Sequence, residues 1–138
     1  MSLLGQGELL ERIGKAMASS ATDDWRMITL EFSAVRSMSQ SELRIESNDG
    51  RIDGSQLVAD EGDEACEDLR AAMYQPGKGT WYNATFTITK DGNLVSEFDY
   101  DNPPLEGEAE DILLTDDQEG FPRNPENLPD WHPSRPTD

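Results

Sequence analysis

Basic residues are scarce in this 138-residue chain, and so are the side chains that most often carry out chemistry. Eleven Lys and Arg stand against 29 Asp and Glu, a formal net charge of −18. That balance speaks against nucleic acid as a partner, because phosphates demand cationic contacts, and against anionic membrane surfaces. It favours encounter with a basic protein through electrostatic steering. High solubility or a salt-rich habitat would leave the same composition.

Cysteine is nearly absent. Cys66 is alone, so no intramolecular disulfide can form. Its neighbours Glu64, Glu67 and Asp68 disfavour a thiolate, and a small core residue is the expected role. His132 is the single histidine, set between Trp131 and Pro133. With one Cys and one His a zinc site is not expected, and any Ser/His/Asp or Cys/His set would have to recruit that residue. No G-x-S-x-G, P-loop or dinucleotide-binding glycine pattern occurs. The expectation is no catalytic set, no metal and no cofactor. No apolar run approaches the ~20 residues of a transmembrane helix, and no basic n-region with an apolar run opens the chain. A cytoplasmic protein is expected.

Hydrophobic residues are 35% of the chain and lie mainly in the first hundred positions. Leu3, Leu9, Leu10, Ile13, Ala16 and Met17 recur at helical spacing, which predicts a first helix ending near Ala18–Thr22. From Trp25 to Val35 the period changes to two. Ile28, Leu30, Phe32 and Ala34 share one face, with Thr29, Glu31 and Ser33 on the other. A polar turn at Ser37–Ser41 should lead to a strand with Leu43 and Ile45 inward, and Asn48-Asp49-Gly50 is a hairpin turn. Arg51 to Val58 would extend the meander, although Gly54 weakens it. Ala65, Cys66, Leu69, Ala72 and Met73 predict a second helix over about Asp60 to Tyr74, stopped by Pro76-Gly77.

Tyr82, Ala84, Phe86 and Ile88 alternate with Asn83, Thr85 and Thr87, and Lys90-Asp91-Gly92 turns the chain. A three-residue loop with Gly92 left-handed pairs Ile88 with Leu94, Phe86 with Ser96, Ala84 with Phe98 and Tyr82 with Tyr100. A two-residue loop would mix apolar and polar residues on one face. The fold class expected is α+β: an antiparallel sheet of four to five strands, a meander plus a C-terminal hairpin, packed with two helices. The core is residues 1–101 of a single domain. Residues 102–138 hold seven prolines with those at 103 and 104 included, many acids, and Arg123 and Arg135 as their only bases. They read as an extended acidic arm with local turns and room for one short helix, pinned by Phe121, Leu128 and Trp131.

Asp99, Asp101 and Asn102 make an oxygen-rich cluster of the kind hard cations favour, but Pro103-Pro104 break the spacing of a calcium loop. A small carboxylate- or cation-dependent hydrolase is one alternative reading, and an acidic adaptor or chaperone for a basic secreted protein is another. The run Glu106, Glu108, Glu110, Asp111, Asp116, Asp117 and Glu119 is either a solvated segment or a surface that covers a basic cleft.

The stretch from Gly79 to Asp101 resembles the YezG-like immunity proteins of bacterial polymorphic toxin systems. The likeness rests on Trp81-Tyr82, the Asp91-Gly92 turn, the strand end Phe98-Asp99-Tyr100-Asp101 and the tail residue Trp131. It spans about a quarter of the chain. The resemblance implies a non-enzymatic protein that binds and blocks a cognate toxin, often a nuclease, one to one. Its expected partner-binding residues are Trp81, Asp99, Asp101, Glu106, Glu108, Glu110, Asp111, Asp116, Asp117 and Trp131. The protein itself would be a monomer or a weak homodimer.

Overall fold

The alternation that opens at Trp25 becomes the longest strand of the fold, β1 (Trp25–Val35), with Ile28, Leu30, Phe32 and Ala34 all buried. A computed structural model describes residues 5–21 and 23–136. Helix α1 (Gln6–Ser19) precedes β1; β2 (Met38–Ser47) and the two-residue β3 (Ile52–Asp53) follow it. Then come α2 (Asp60–Ala72), β4 (Asn83–Thr89), β5 (Leu94–Asp99) and α3 (Asp111–Gly120). The five strands form one antiparallel sheet in the order β3-β2-β1-β4-β5. This is the expected α+β class, with a third helix in the tail. Of the first helix's expected stripe, Leu9, Ile13, Ala16 and Met17 are buried; Leu3 and Thr22 lie outside the described residues.

Register follows the hydrophobic pattern closely. Ile88 pairs with Leu94, Phe86 with Ser96 and Ala84 with Phe98, around the three-residue turn Lys90-Asp91-Gly92. Gly92 has φ +91, where a side chain would be strained. The expected Tyr82–Tyr100 pair does not form; the Tyr82 N–H donates to the Asp99 carbonyl instead. The first turn is also tighter than expected. Val35 pairs directly with Met38, so the turn is Arg36-Ser37 and Ser39–Ser41 already belong to β2. After the Asn48-Asp49-Gly50 turn only Ile52 and Asp53 pair with β2; residues 54–57 are exposed.

Both α1 and α2 lie on the face carrying Ile28, Leu30, Leu43 and Phe86, and together they close the core. Two of the small residues in this layer set the distance between the helices. A Cβ at Gly62 would stand 2.9 Å from the Ala16 Cβ and 2.8 Å from a Val58 methyl. Trp81 ends inside the same core, 6.0 Å from Phe32 edge-on and 5.5 Å from Phe98, which meets Phe86 at 6.0 Å. The sheet's other face stays open, and Thr29, Glu31, Ser33, Thr85 and Thr87 on it are only partly buried.

The close approach at Gly62 sets up a conflict between helix propensity, which favours alanine by about 1 kcal/mol, and overpacking, which costs about 1–3 kcal/mol. Because the Ala16 Cβ is fixed to a neighbouring helix, overpacking should win. Gly62→Ala should therefore lower the midpoint of thermal unfolding, and a raised midpoint would mean that the helices can part freely.

Candidate partner-binding surface

The chain after β5 does not run out as an extended arm. It crosses the end of the sheet, and the polar residues that sequence reading placed on its surface divide into two groups. Asp117 belongs to the inner group. It lies on α3, is 3% exposed, and accepts two hydrogen bonds from Arg70 of α2, at 2.6 Å and 3.0 Å. Arg70 is itself buried, donates through Nε to the Trp81 carbonyl at 2.6 Å, and lies over the Phe121 ring at 5.1 Å. Desolvated charges of this kind persist only when paired and hydrogen-bonded. The Thr80 hydroxyl donates to the Arg70 carbonyl, tying the same turn of α2 to the strand-bound segment.

Arg123 makes the second lock. Its guanidinium donates to the carbonyls of Thr80, Tyr100 and Asn127 and stacks 4.5 Å from the Tyr82 ring. Its backbone is bracketed by Gln118, which both donates to it and accepts from it. Gly79 makes room: at φ +85, a Cβ there would come within 2.4 Å of the Arg123 side chain. Burial pushes the Tyr82 phenol up to about 12, with the Arg123 charge pulling the other way.

His132 is also part of this packing, 3% exposed. Its Nδ1 accepts from the Ser134 N–H at 3.1 Å, which places the proton on Nε2, buried on the side of the Leu114 backbone. Burial holds the imidazole below its ordinary value, opposed by the nearby Asp117 carboxylate. Burial likewise pushes the Cys66 thiol far up, assisted by Asp63 and Glu67, which leaves Cys66 an inert core residue.

The structure therefore corrects two expected partner-binding residues. Trp81, expected to anchor an interface, is fully buried among Phe32, Phe86 and Phe98. Asp117, expected in the acidic surface, is the internal counter-ion of Arg70. Asp99 is also largely occupied. Its carboxylate accepts from the Asp101 and Asn102 N–H groups and from the Asn102 amide, forming the turn that ends β5. Burial acts to raise its pKa, but those three bonds outweigh it and hold the carboxyl below the ordinary value. Among the described residues no three His, Cys, Asp or Glu side chains are grouped to hold a metal ion. Asp116 pairs with Arg36 at 2.5 Å on the surface. Trp131 is half-buried, edge-on to Tyr82 at 5.1 Å, with its indole N–H donating to the Asp101 carbonyl.

The remaining acids expected at a partner surface are exposed. Asp101, Glu106, Glu108, Glu110 and Asp111 are all exposed. Glu106 is held by an unusual turn in which Leu105, Glu106 and Gly107 all have positive φ, at 55°, 58° and 81°. Each such non-glycine residue costs on the order of 1–2 kcal/mol. The turn is fixed from both sides, since the Leu105 N–H donates to the Ser33 hydroxyl at 2.6 Å and the Leu105 side chain is buried. It forms one wall of a groove of about 250 Å³ on the open sheet face, lined by Glu31, Glu42, Glu106, Gln40, Asn83 and Thr85.

Glu31 stands directly opposite Glu42 across the β1–β2 pairing, and Glu97 lies on the same rung through Thr85. Like charges directly opposite are destabilising. Arg44 relieves Glu31, whereas Glu42, Glu97 and Glu106 make no ion pair among the described residues. Sequence reading missed Glu31, Glu42 and Glu97 as surface candidates. Their outward parity was visible, but the rung that joins them depends on the turn at Arg36-Ser37.

No family model matches this chain and no curated protein matches it.

Two measurements follow from the buried groups. Asp117→Asn leaves a guanidinium buried without its counter-ion and should cost about 3–5 kcal/mol of stability. Asp116→Asn, at the exposed pair, should leave the denaturation midpoint nearly unchanged. Equal effects would mean that the tail contact is not a buried one. For His132, the folded value lies below the unfolded value near 6.5, so the unfolded chain takes up the proton first. Stability should fall as pH drops below about 6.5 and level off once the folded imidazole is protonated. The single imidazole resonance should titrate below 6.5 in the folded protein, and a midpoint above that value would contradict the burial.

Proposed function

We propose that this protein is a non-enzymatic inhibitor that binds a basic protein partner one to one, acting as the cytoplasmic immunity partner of a bacterial toxin. The observation that carries the reading is the separation of charge between inside and outside. Arg70 and Arg123 are two of only eleven bases, and both are turned inward. Arg26, Arg36, Arg44, Arg51, Lys15 and Arg135 are engaged in surface ion pairs. Because Asp117 offsets Arg70 and each surface pair takes one acid per base, the exterior keeps the whole acidic excess of the net charge of −18.

An exposed field of that sign raises the encounter rate with a cationic cleft such as a nuclease presents. The acids of Asp101 to Asp111 lie in and on either side of a turn fixed by Ser33 and Leu105, so little ordering is required when a partner arrives. The resemblance of the Trp81–Asp101 hairpin to YezG-like immunity proteins supports the same reading from the sequence. No helix among the described residues is long and apolar enough to cross a membrane, which is compatible with a freely diffusing inhibitor.

The test is co-purification with the product of the gene immediately upstream, followed by assay of that product with and without this protein. A one-to-one complex that silences a nuclease or nucleotide-degrading activity is the expected result. Neutralising Asp101, Glu106, Glu108, Glu110 and Asp111 together to their amides should slow association roughly tenfold or more at low salt and flatten its salt dependence. Unchanged association would rule out this surface. The absence of any complex and any toxin-like neighbour would sink the function.

A further inference from the structure

The sheet has two edges, and they are not alike. At one side β3 pairs only with Ile45 and Glu46 of β2. The edge left at Met38–Arg44 carries the polar Ser39 and Ser41 on the helix side and the cationic Arg44 on the open side, which suits neither apolar nor cationic side chains of an added strand. At the other side β5 offers six residues, Leu94–Asp99. The hairpin's hydrogen-bond phase is fixed at its tip by Thr89 N–H to the Asn93 carbonyl. Antiparallel pairing alternates from there, so Val95, Glu97 and Asp99 bond inward to β4. The N–H and C=O groups of Leu94, Ser96 and Phe98 point outward, and no backbone bond from another element reaches them.

We propose that the β5 edge is the place where this protein receives a strand of its partner, one that alternates apolar and cationic residues. The proposal rests on the reading of the protein as a binder of a basic partner and names the surface. Two faces of the edge dictate the alternation. On the helix side, Leu94 and Phe98 are only partly buried and pack against the core, so apolar side chains of an added strand would extend that layer. On the open side, Val95 is 58% exposed and Glu97 is free of any ion pair, with Asp99 and the exposed Asp101 following it. Cationic side chains fit there.

A second copy of this chain fits poorly. In the antiparallel self-pairings of greatest overlap, centred on Ser96 or Glu97, the Glu97 side chains of the two copies fall diagonal to or directly opposite each other on one face, where like charges repel. The edge thus resists self-association by the device natural sheets commonly use, while remaining open to a strand of opposite charge.

The probe is a seven-residue peptide of alternating arginine and valine, offered at up to millimolar concentration. A peptide of equal charge with a central proline is the control. Amide hydrogen exchange on the unaltered protein should show Leu94, Ser96 and Phe98 slowed at least roughly tenfold by the first peptide and not by the second. Ser96→Pro removes an outward N–H that the fold does not use; it should abolish that binding. Glu97→Lys should weaken it and reduce its salt dependence.

No binding by the alternating peptide, equal binding of the two peptides, or slowing confined to the Asp101–Asp111 surface would overturn the proposal. Slowing of the same amides with protein concentration alone would also overturn it, in favour of a second copy. If Ser96→Pro fails to fold, the exchange map of the unaltered protein decides. Because the peptide needs no toxin, failure here leaves the co-purification result standing, and failure there leaves this one.

Discussion

A guanidinium removed from water must find nearly all its partners inside the protein, and Arg70 finds them on two other parts of the chain. It lies on α2, receives the carboxylate of Asp117 from α3, and donates to the Trp81 carbonyl just before β4. Taking either charge away would leave the other stranded in a low-dielectric site, so the two segments hold each other in place. Arg123 repeats the device a few residues later, with carbonyls in place of a carboxylate and Gly79 as the surface it lies on. Geometry matters more here than raw energy. A buried ion pair is weak support for stability when compared with apolar packing, but it admits only one arrangement.

That arrangement bears on function because of what it leaves outside. With Asp117 consumed internally and Asp116 paired to Arg36, exposed acids outside any ion pair among the described residues remain on α2 at Asp60, Glu61, Glu64 and Asp68, and also between Asp101 and Asp111 and on the open sheet face. The strained turn at Leu105-Glu106 links these two regions, since it is anchored to Ser33 of β1 and walls the groove beside Glu31 and Glu42. Strain of this sort persists only where the surroundings over-determine it. The free edge of β5 runs toward the same acids through Glu97 and Asp99.

How much of this was legible in the sequence depended on range. Parity alone identified β1 with its buried Ile28, Leu30, Phe32 and Ala34, and the odd loop at Lys90-Asp91-Gly92 with the pairing of Ile88 to Leu94. Those features are local, since a period and a turn specify them. In the tail the room for one short helix and the pinning by Leu128 and Trp131 were legible, but its inward charges were not, because its proline and acid content matches that of solvated segments. Only contacts across forty or more residues, such as Arg70 to Asp117 and Arg123 to Thr80, show that two charged residues serve as core. Trp81 failed for a related reason, since a tryptophan beside a turn looks the same whether it faces solvent or fills the space between Phe32 and Phe98. Among the proposed surface residues, Asp101, Glu106, Glu108, Glu110 and Asp111 are exposed, whereas the rung of Glu42, Glu31 and Glu97 required the register of four strands.

The central claim is that the tail and the sheet are one cooperative body, locked by Arg70 and Arg123, so that the acids are presented in a fixed array. Native-state hydrogen exchange tests it most directly, by comparing the opening free energies of amides in α3 with those in β1 and β4. Equal values, falling together with added denaturant, are what the account predicts. If α3 opens independently, at a free energy far below that of the sheet, the buried arginines do not unite the fold and the acidic array is not preorganised.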